Sequence, residues 1–279
     1  MYQIFNKQIL GKDIRRLDVK APAIAAAARP GLFVMVAPFE DSEWIPLSIV
    51  EADASRGTIA LIVRETDPTT KALSSMSIYE KIAVIIGPLG HPVEVKKYGD
   101  VLCAATGDGI ARILPVCRAL KAAGNRVIGI IGARTKSRLT LEAQMRLSCH
   151  KIFMATEDGS YERRGTVTEL AKEMFDQQKF ALVYAAGSVE LLEAITQLTK
   201  PKNISTRIQV SPLMCCGMGV CGSCRIVVGG KPVLACVDGP TFNAHKVDFA
   251  VLKSRMQPEG APSNVALGTA PYFFNRLQK

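Results

Sequence analysis

The run from Cys216 to Cys224, with Cys221 between them and Cys236 after eleven further residues, constrains this chain more than any other feature. It reads C-x4-C-x2-C…C, the ligand spacing of a plant-type [2Fe–2S] cluster. Such a centre needs thiolates that converge on two irons. Glycines at 217, 219 and 222 let the backbone wrap tightly and turn its N–H groups toward sulfur. The competing readings are a zinc knuckle and buried free thiols. Zinc sites usually present C-x2-C pairs on both sides, and nothing pairs with Cys236 at that spacing. Cys216, Cys221, Cys224 and Cys236 are therefore the expected metal ligands. Cys215 is the spare, because neighbouring side chains point apart. Cys103, Cys117 and Cys149 sit singly in apolar or helical surroundings. The N-terminal stretch has scattered charge and no long apolar segment, so a disulfide framework is not expected and the reducing cytoplasm is the expected location.

The rest of the sequence divides by pattern. As far as Glu94 it reads as β, with short apolar runs at 32–39, 45–50, 58–65 and 81–89 between turn signals such as Arg29-Pro30-Gly31 and Gly87-Pro88-Leu89-Gly90. That spacing predicts a small antiparallel barrel or sandwich. Near Gly99 strands begin to alternate with helix-period segments: 101–109, then a helix, then 126–135, and onward to the strand 180–187 and its following helix. This alternation predicts a parallel sheet with crossovers. The expected architecture is multi-domain β plus α/β. An antiparallel β-barrel spans 1–97, a parallel-sheet nucleotide domain 98–205, a cluster module 206–250 and a C-terminal tail 251–279.

The turn Thr106-Gly107-Asp108-Gly109 follows a strand and opens a helix, where backbone N–H groups can meet a pyrophosphate. It lacks the G-x-G-x-x-G pattern, and Asp108 brings a carboxylate to the spot a phosphate would approach. A plain tight turn is the alternative. Arg134 and Lys136, past the second strand, suit either a ribose 2′-phosphate or a solvated loop. Lys plus Arg exceed Asp plus Glu by 35 to 25, a formal charge of +10, yet no basic block or aromatic interleaving occurs, so no nucleic-acid partner is expected. At 48% hydrophobic and 22% charged the composition is that of a core-forming chain, and no apolar run is long enough for a membrane span.

Barrel, nucleotide domain and C-terminal cluster module, in that order, resemble one branch of the ferredoxin–NADP reductase superfamily. The branch holds the electron-transfer subunits of bacterial dihydroorotate dehydrogenase. It also holds the small (alpha) subunits of NADH-dependent reduced ferredoxin:NADP oxidoreductase and sulfide dehydrogenase. The resemblance runs from about Ala21 to Phe249. It is carried by Arg29-Pro30-Gly31, Ile45-Pro46-Leu47-Ser48, Gly87-Pro88-Leu89-Gly90, Thr156-Glu157-Asp158-Gly159-Ser160 and Cys216 through Pro240. Gly132 to Lys136 and Leu141-Glu142 draw it toward the transhydrogenase type, while Cys216, where that type often carries aspartate, draws it toward the dihydroorotate type.

The resemblance implies FAD on the barrel, with Pro46, Leu47 and Ser48 along the flavin and Thr70 bonding the FAD pyrophosphate. It implies NAD(P)H served by Gly107, Gly109 and Arg134, and electrons passing through the cluster to or from a larger flavoprotein or iron–sulfur subunit. Ferredoxin is a further expected partner. No acid–base residue is needed for hydride transfer to a flavin, and no catalytic residue is assigned. Against the family pattern, Trp44 stands for an arginine, Asp67 for a glycine, and Asp108 and Arg112 interrupt the nucleotide loop. An electron-transfer oxidoreductase subunit is thus the main expectation. A wiring subunit with decayed flavin and nucleotide sites is the alternative, and a dihydroorotate dehydrogenase electron-transfer subunit the other.

Overall fold

A computed structural model describes residues 2–256. The chain opens with a hairpin, β1 (Tyr2–Gly11) and β2 (Ile14–Lys20), followed by the short helix α1 (Pro22–Ala27). Next come β3 (Phe33–Ala37), β4 (Ile45–Asp53), β5 (Thr58–Arg64), helix α2 (Pro68–Ser75), β6 (Lys81–Ile82) and β7 (Val84–Leu89). They form one antiparallel sheet in the order β6-β1-β2-β5-β4-β3-β7, curled around Leu17, Val34, Leu61, Leu73 and Ile82. The strands expected at 45–50 and 58–65 are β4 and β5, and the run 81–89 is split into β6 and β7.

The hairpin β1–β2 lies within the stretch read as β but carries none of its apolar runs, for a physical reason. Register shifts at Ile4/Asn6 and Ile9/Gly11 break the two-residue alternation of β1, and its Phe5 and Ile9 face outward. On β2, Arg16 pairs with Asp18 at 2.8 Å, and that strand is framed by charge rather than by apolar residues alone.

The second unit alternates as expected. β8 (Asp100–Thr106) leads into α3 (Gly109–Ala122), β9 (Arg126–Ala133), α4 (Glu142–Ser148), β10 (Lys151–Thr156) and β11 (Arg163–Arg164). Helix α5 (Val167–Gln177), β12 (Leu182–Ala186), α6 (Val189–Thr199) and β13 (Ser205–Gln209) complete it. The strands stack parallel in the order β11-β10-β9-β8-β12-β13. Both faces are covered by helices, so the central strands read as continuous apolar runs rather than alternating ones. The expected limit at residue 205 falls on the first residue of β13, and the nucleotide sheet continues past it to Gln209.

The cluster segment then folds as the hairpin β14 (Arg225–Val228) and β15 (Lys231–Leu234), the short helix α7 (Ala235–Asp238), β16 (Thr241–Asn243) and α8 (Phe249–Ser254). β16 returns to the nucleotide sheet and pairs antiparallel with β13, Ile208 opposite Phe242. The Tyr184 hydroxyl and Thr241 Oγ1, 2.7 Å apart, reinforce this seam. α8 crosses the expected start of the tail at 251, and the remainder of that tail, from 257, lies outside the described residues. The three units share contacts: Val50 of β4 is buried in the core beneath α3, and Glu51 meets both Arg16 and Arg118.

Candidate functional site

The cysteine loop is held between barrel and nucleotide sheet. Gly217, Gly219 and Gly222 take φ of 70°, 81° and 72°, the left-handed turns that the sequence pattern anticipates. At Gly217 a side chain is also impossible, since a Cβ there would overlap Met35 of β3 and lie 2.9 Å from Leu89 of β7. The loop therefore lies directly on the barrel strands. Its backbone turns inward: the N–H groups of Met218 and Cys221 both donate to Cys216 Sγ at 3.5 Å. Cys224 and Cys236 are buried with their sulfurs 3.3 Å apart, and Cys221 Sγ lies 3.0 Å from Ser223 Oγ.

The thiols of this region are shifted in opposite directions by their contacts. The hydrogen bond from Cys236 holds the Cys224 thiol down to about 6, and the same bond together with burial pushes Cys236 up. Burial raises Cys221, but hydrogen bonds from Ser223 and Cys216 outweigh it and the net shift is downward. Cys215, by contrast, is raised by burial. Cys224 and Cys236 thus pair through their sulfurs and Cys216 collects two loop amides, while no group of three or more His, Cys, Asp or Glu side chains is drawn together tightly enough to hold a metal among the described residues. Amides turned to sulfur, soft donors and no carboxylate in the loop are the chemistry that fits an iron–sulfur centre. Met218, Val220 and Val237 stand exposed beside these cysteines.

The residues expected along a flavin lie on β4. Pro46, Leu47 and Ser48 are half-buried, opposite Met35, Val34 and Phe33 of β3. Trp44, just before them, packs against the core that also contains Cys224 and Cys236. Thr70 sits in the first turn of α2 and its hydroxyl is already engaged. It accepts the N–H groups of Thr66 and Asp67 at 3.0 Å, while the Asp67 carboxylate accepts Thr70 N–H at 2.9 Å. This reciprocal capping box satisfies the helix start with the chain's own anion. The start of α2 is therefore capped by the chain's own carboxylate.

At the nucleotide turn, Gly107 has a φ of 53° and Gly109 has no room for a side chain: a Cβ would overlap the Ala186 carbonyl and lie 2.5 Å from Gly187 N. That close approach brings the start of α3 against the end of β12. Asp108, which the sequence sets where a phosphate would approach, leans across to the barrel. Its Oδ1 lies 2.7 Å from Arg64 Nε, at the end of β5, as a close ion pair rather than an aligned hydrogen bond. Arg112, one turn further, reaches the carbonyls of Gly187 and Gln209 at 3.4 Å. Burial lowers its guanidinium below the ordinary range, opposed by Asp108 and Tyr184. Arg134 is exposed at the end of β9, and Lys136 Nζ lies 4.5 Å from the Tyr161 ring centre. Sequence reasoning missed the Arg64–Asp108 pair and Gln209, and no local signal could have found a contact between a barrel strand and a helix of another unit.

Comparison with known proteins agrees with this layout. The family model for the iron-sulfur cluster binding domain of dihydroorotate dehydrogenase B matches residues 211–248. The dihydroorotate dehydrogenase B (NAD(+)) electron transfer subunit homolog of Thermotoga maritima is 33% identical over 254 residues, covering 91% of this chain and 90% of that protein. The electron transfer subunit of Desulforamulus reducens is 29% identical, with 88% and 99% covered. Among solved structures, a chain from the NADH-dependent reduced ferredoxin-NADP oxidoreductase, described in terms of flavin-based electron bifurcation, superposes with a TM-score of 0.88 at 30% identity over 100% of this chain and 98% of that one. A ferredoxin-NADP+ reductase from Plasmodium falciparum, 12% identical with a TM-score of 0.60, shares the fold.

Proposed function

Because the chain belongs to the family of dihydroorotate dehydrogenase B electron transfer subunits and their homologues, we propose that it is the electron-transfer subunit of a flavin and iron–sulfur oxidoreductase that uses NAD(P)H. The observation that carries this reading is the cysteine loop seated on the barrel, with Gly217 pressed against Met35 and Leu89. A cluster held there adjoins the strands that would carry a flavin. When bound, FAD supplies the conversion between two-electron hydride chemistry and the one-electron chemistry of a [2Fe–2S] centre.

The chain's own residues have distinct tasks. Cys216, Cys221, Cys224 and Cys236 would hold the cluster, and the amides of Met218 and Cys221 neutralise charge on Cys216. Pro46, Leu47 and Ser48 would line the flavin, and Thr70 would take its diphosphate once Asp67 yields the start of α2. Gly107 and Gly109 would bring backbone N–H groups to a pyridine nucleotide, with Arg134 beside them. The exposed Met218, Val220 and Val237 next to the cluster suit a larger partner subunit that accepts or returns electrons, with ferredoxin as a further partner.

A second reading has a specific observation behind it. Asp67 fills the α2 start, and a chain that keeps this cap closed would hold the cluster without FAD and act as a wiring subunit. Iron, sulfide and flavin stoichiometry of the purified protein decides between them. One flavin per cluster supports the first reading; an intact cluster with no flavin supports the second. Cys221→Ser or Cys224→Ser should abolish the EPR signal of the reduced cluster and Cys215→Ser should spare it; the reverse result overturns the ligand set.

A further inference from the structure

The start of α3 carries a carboxylate, yet that carboxylate is drawn off it. Asp108 is at the N-cap position, but its backbone is already helical (φ −68°, ψ −17°) and its side chain caps nothing. An N-cap side chain reaches the first-turn N–H groups from an extended backbone, so Asp108 is badly set to close its own helix. Instead it leans to Arg64, which belongs to the barrel and is only 16% exposed, while Asp108 is 63% exposed. Gly109 fixes the position of the turn, because its contact with Ala186 and Gly187 leaves no slack for the loop to retreat.

We propose that Arg64 is a positioning residue for the pyridine-nucleotide seat: it cancels and holds aside the Asp108 carboxylate, leaving the start of α3 open to a dinucleotide diphosphate. The inference rests on the nucleotide reading above. Further polar groups lie at the neighbouring strand ends. Gln209, 2% exposed at the end of β13, has a side-chain oxygen with no partner among the described residues. Arg112 spans the Gln209 and Gly187 carbonyls at 3.4 Å, long for a hydrogen bond to a cation.

Arg64 acts here through Asp108, which separates this role from direct phosphate binding. With Arg64 removed, an uncompensated carboxylate stands beside the helix start and opposes the diphosphate. With both removed, the opposition disappears. The test is titration of the full chain, cluster intact, with NADH and with NADPH at fixed low salt. The proteins compared are wild type, Arg64→Gln, Arg64→Lys, Asp108→Ala and the double variant Arg64→Gln/Asp108→Ala. Arg64→Gln should bind about tenfold more weakly, the size of effect expected from one unscreened charge near a phosphate. Arg64→Lys, which keeps the cation, should stay within about threefold of wild type. The double variant should recover most of the loss, and the deficit of Arg64→Gln should shrink as salt is added. A double variant as weak as Arg64→Gln means that Arg64 grips the nucleotide itself and overturns the inference, as does an Arg64→Gln protein that binds like wild type. If wild type and every variant bind neither nucleotide, the nucleotide reading itself falls and takes this inference with it.

Discussion

At the start of α2 the Asp67 carboxylate accepts the N–H of its own helix at 2.9 Å, whereas at the start of α3 the Asp108 carboxylate leaves its helix and meets Arg64 at 2.7 Å. The two turns have the same residue type at the same position. Their backbones differ: Asp67 is extended (φ −146°, ψ 172°) and Asp108 is helical (φ −68°, ψ −17°). Their third helical residues differ as well. Thr70 in α2 has a hydroxyl that completes the reciprocal box, and Ala111 in α3 has nothing to return. One helix start is closed by the chain's own carboxylate, and at the other the carboxylate is drawn off to a neighbouring strand's cation. The segment from Arg64 to Thr70 supplies both devices, so a single stretch of barrel sets the charge at two helix starts in opposite senses.

The contrast is sharpest at the first helical residue, where α2 has Pro68 and α3 has Gly109. Gly109→Ala should cost about 3 kcal/mol, because the new methyl overlaps the Ala186 carbonyl and the backbone on both sides is packed. Pro68→Ala should cost about 0.5 kcal/mol through the unfolded chain alone. Chemical denaturation of the two variants measures the gap; similar losses would mean that α3 is no more firmly seated than α2.

Thr70→Val comes next. The hydroxyl is buried and accepts two backbone N–H groups, so its removal should destabilise by roughly 2 kcal/mol and lower flavin occupancy together. Asp67→Ala should separate those two readouts. Losing the cap costs about 1 kcal/mol, yet clearing the carboxylate should tighten FAD about tenfold in a flavin titration. Stability and flavin affinity falling together in Asp67→Ala would show that the aspartate supports the seat rather than occupies it. Asp108→Ala should have the smallest effect, about 0.5 kcal/mol or less in the same denaturation series, since a half-exposed ion pair adds little. A loss as large as that of Asp67→Ala would erase the distinction between the two turns.

What the sequence determined by itself is local. The C-x4-C-x2-C…C spacing, the three glycines between and beside those cysteines, and the strand–helix alternation from Val101 to Thr199 are patterns written over neighbouring residues. Their physics, ligand reach and side-chain periodicity, needs no distant partner. The hairpin β1–β2 escaped because its bulges break the alternation, and β16 because a three-residue strand has too short a period to read. The tertiary structure alone decided what Asp108 and Arg112 do, and the local backbone at the start of α2 decided what Asp67 and Thr70 do. Asp108 looks in sequence like a charge set against a phosphate, and only the packing of β5 beside α3 reveals Arg64 opposite it. Thr70 looks like a hydroxyl waiting for a diphosphate, and only the extended backbone at Asp67 reveals that the hydroxyl is already in use. Charges act through space, so the roles of Asp108 and Arg112 were fixed when the barrel and the nucleotide sheet folded and came together, whereas the Asp67–Thr70 box is closed within its own four residues.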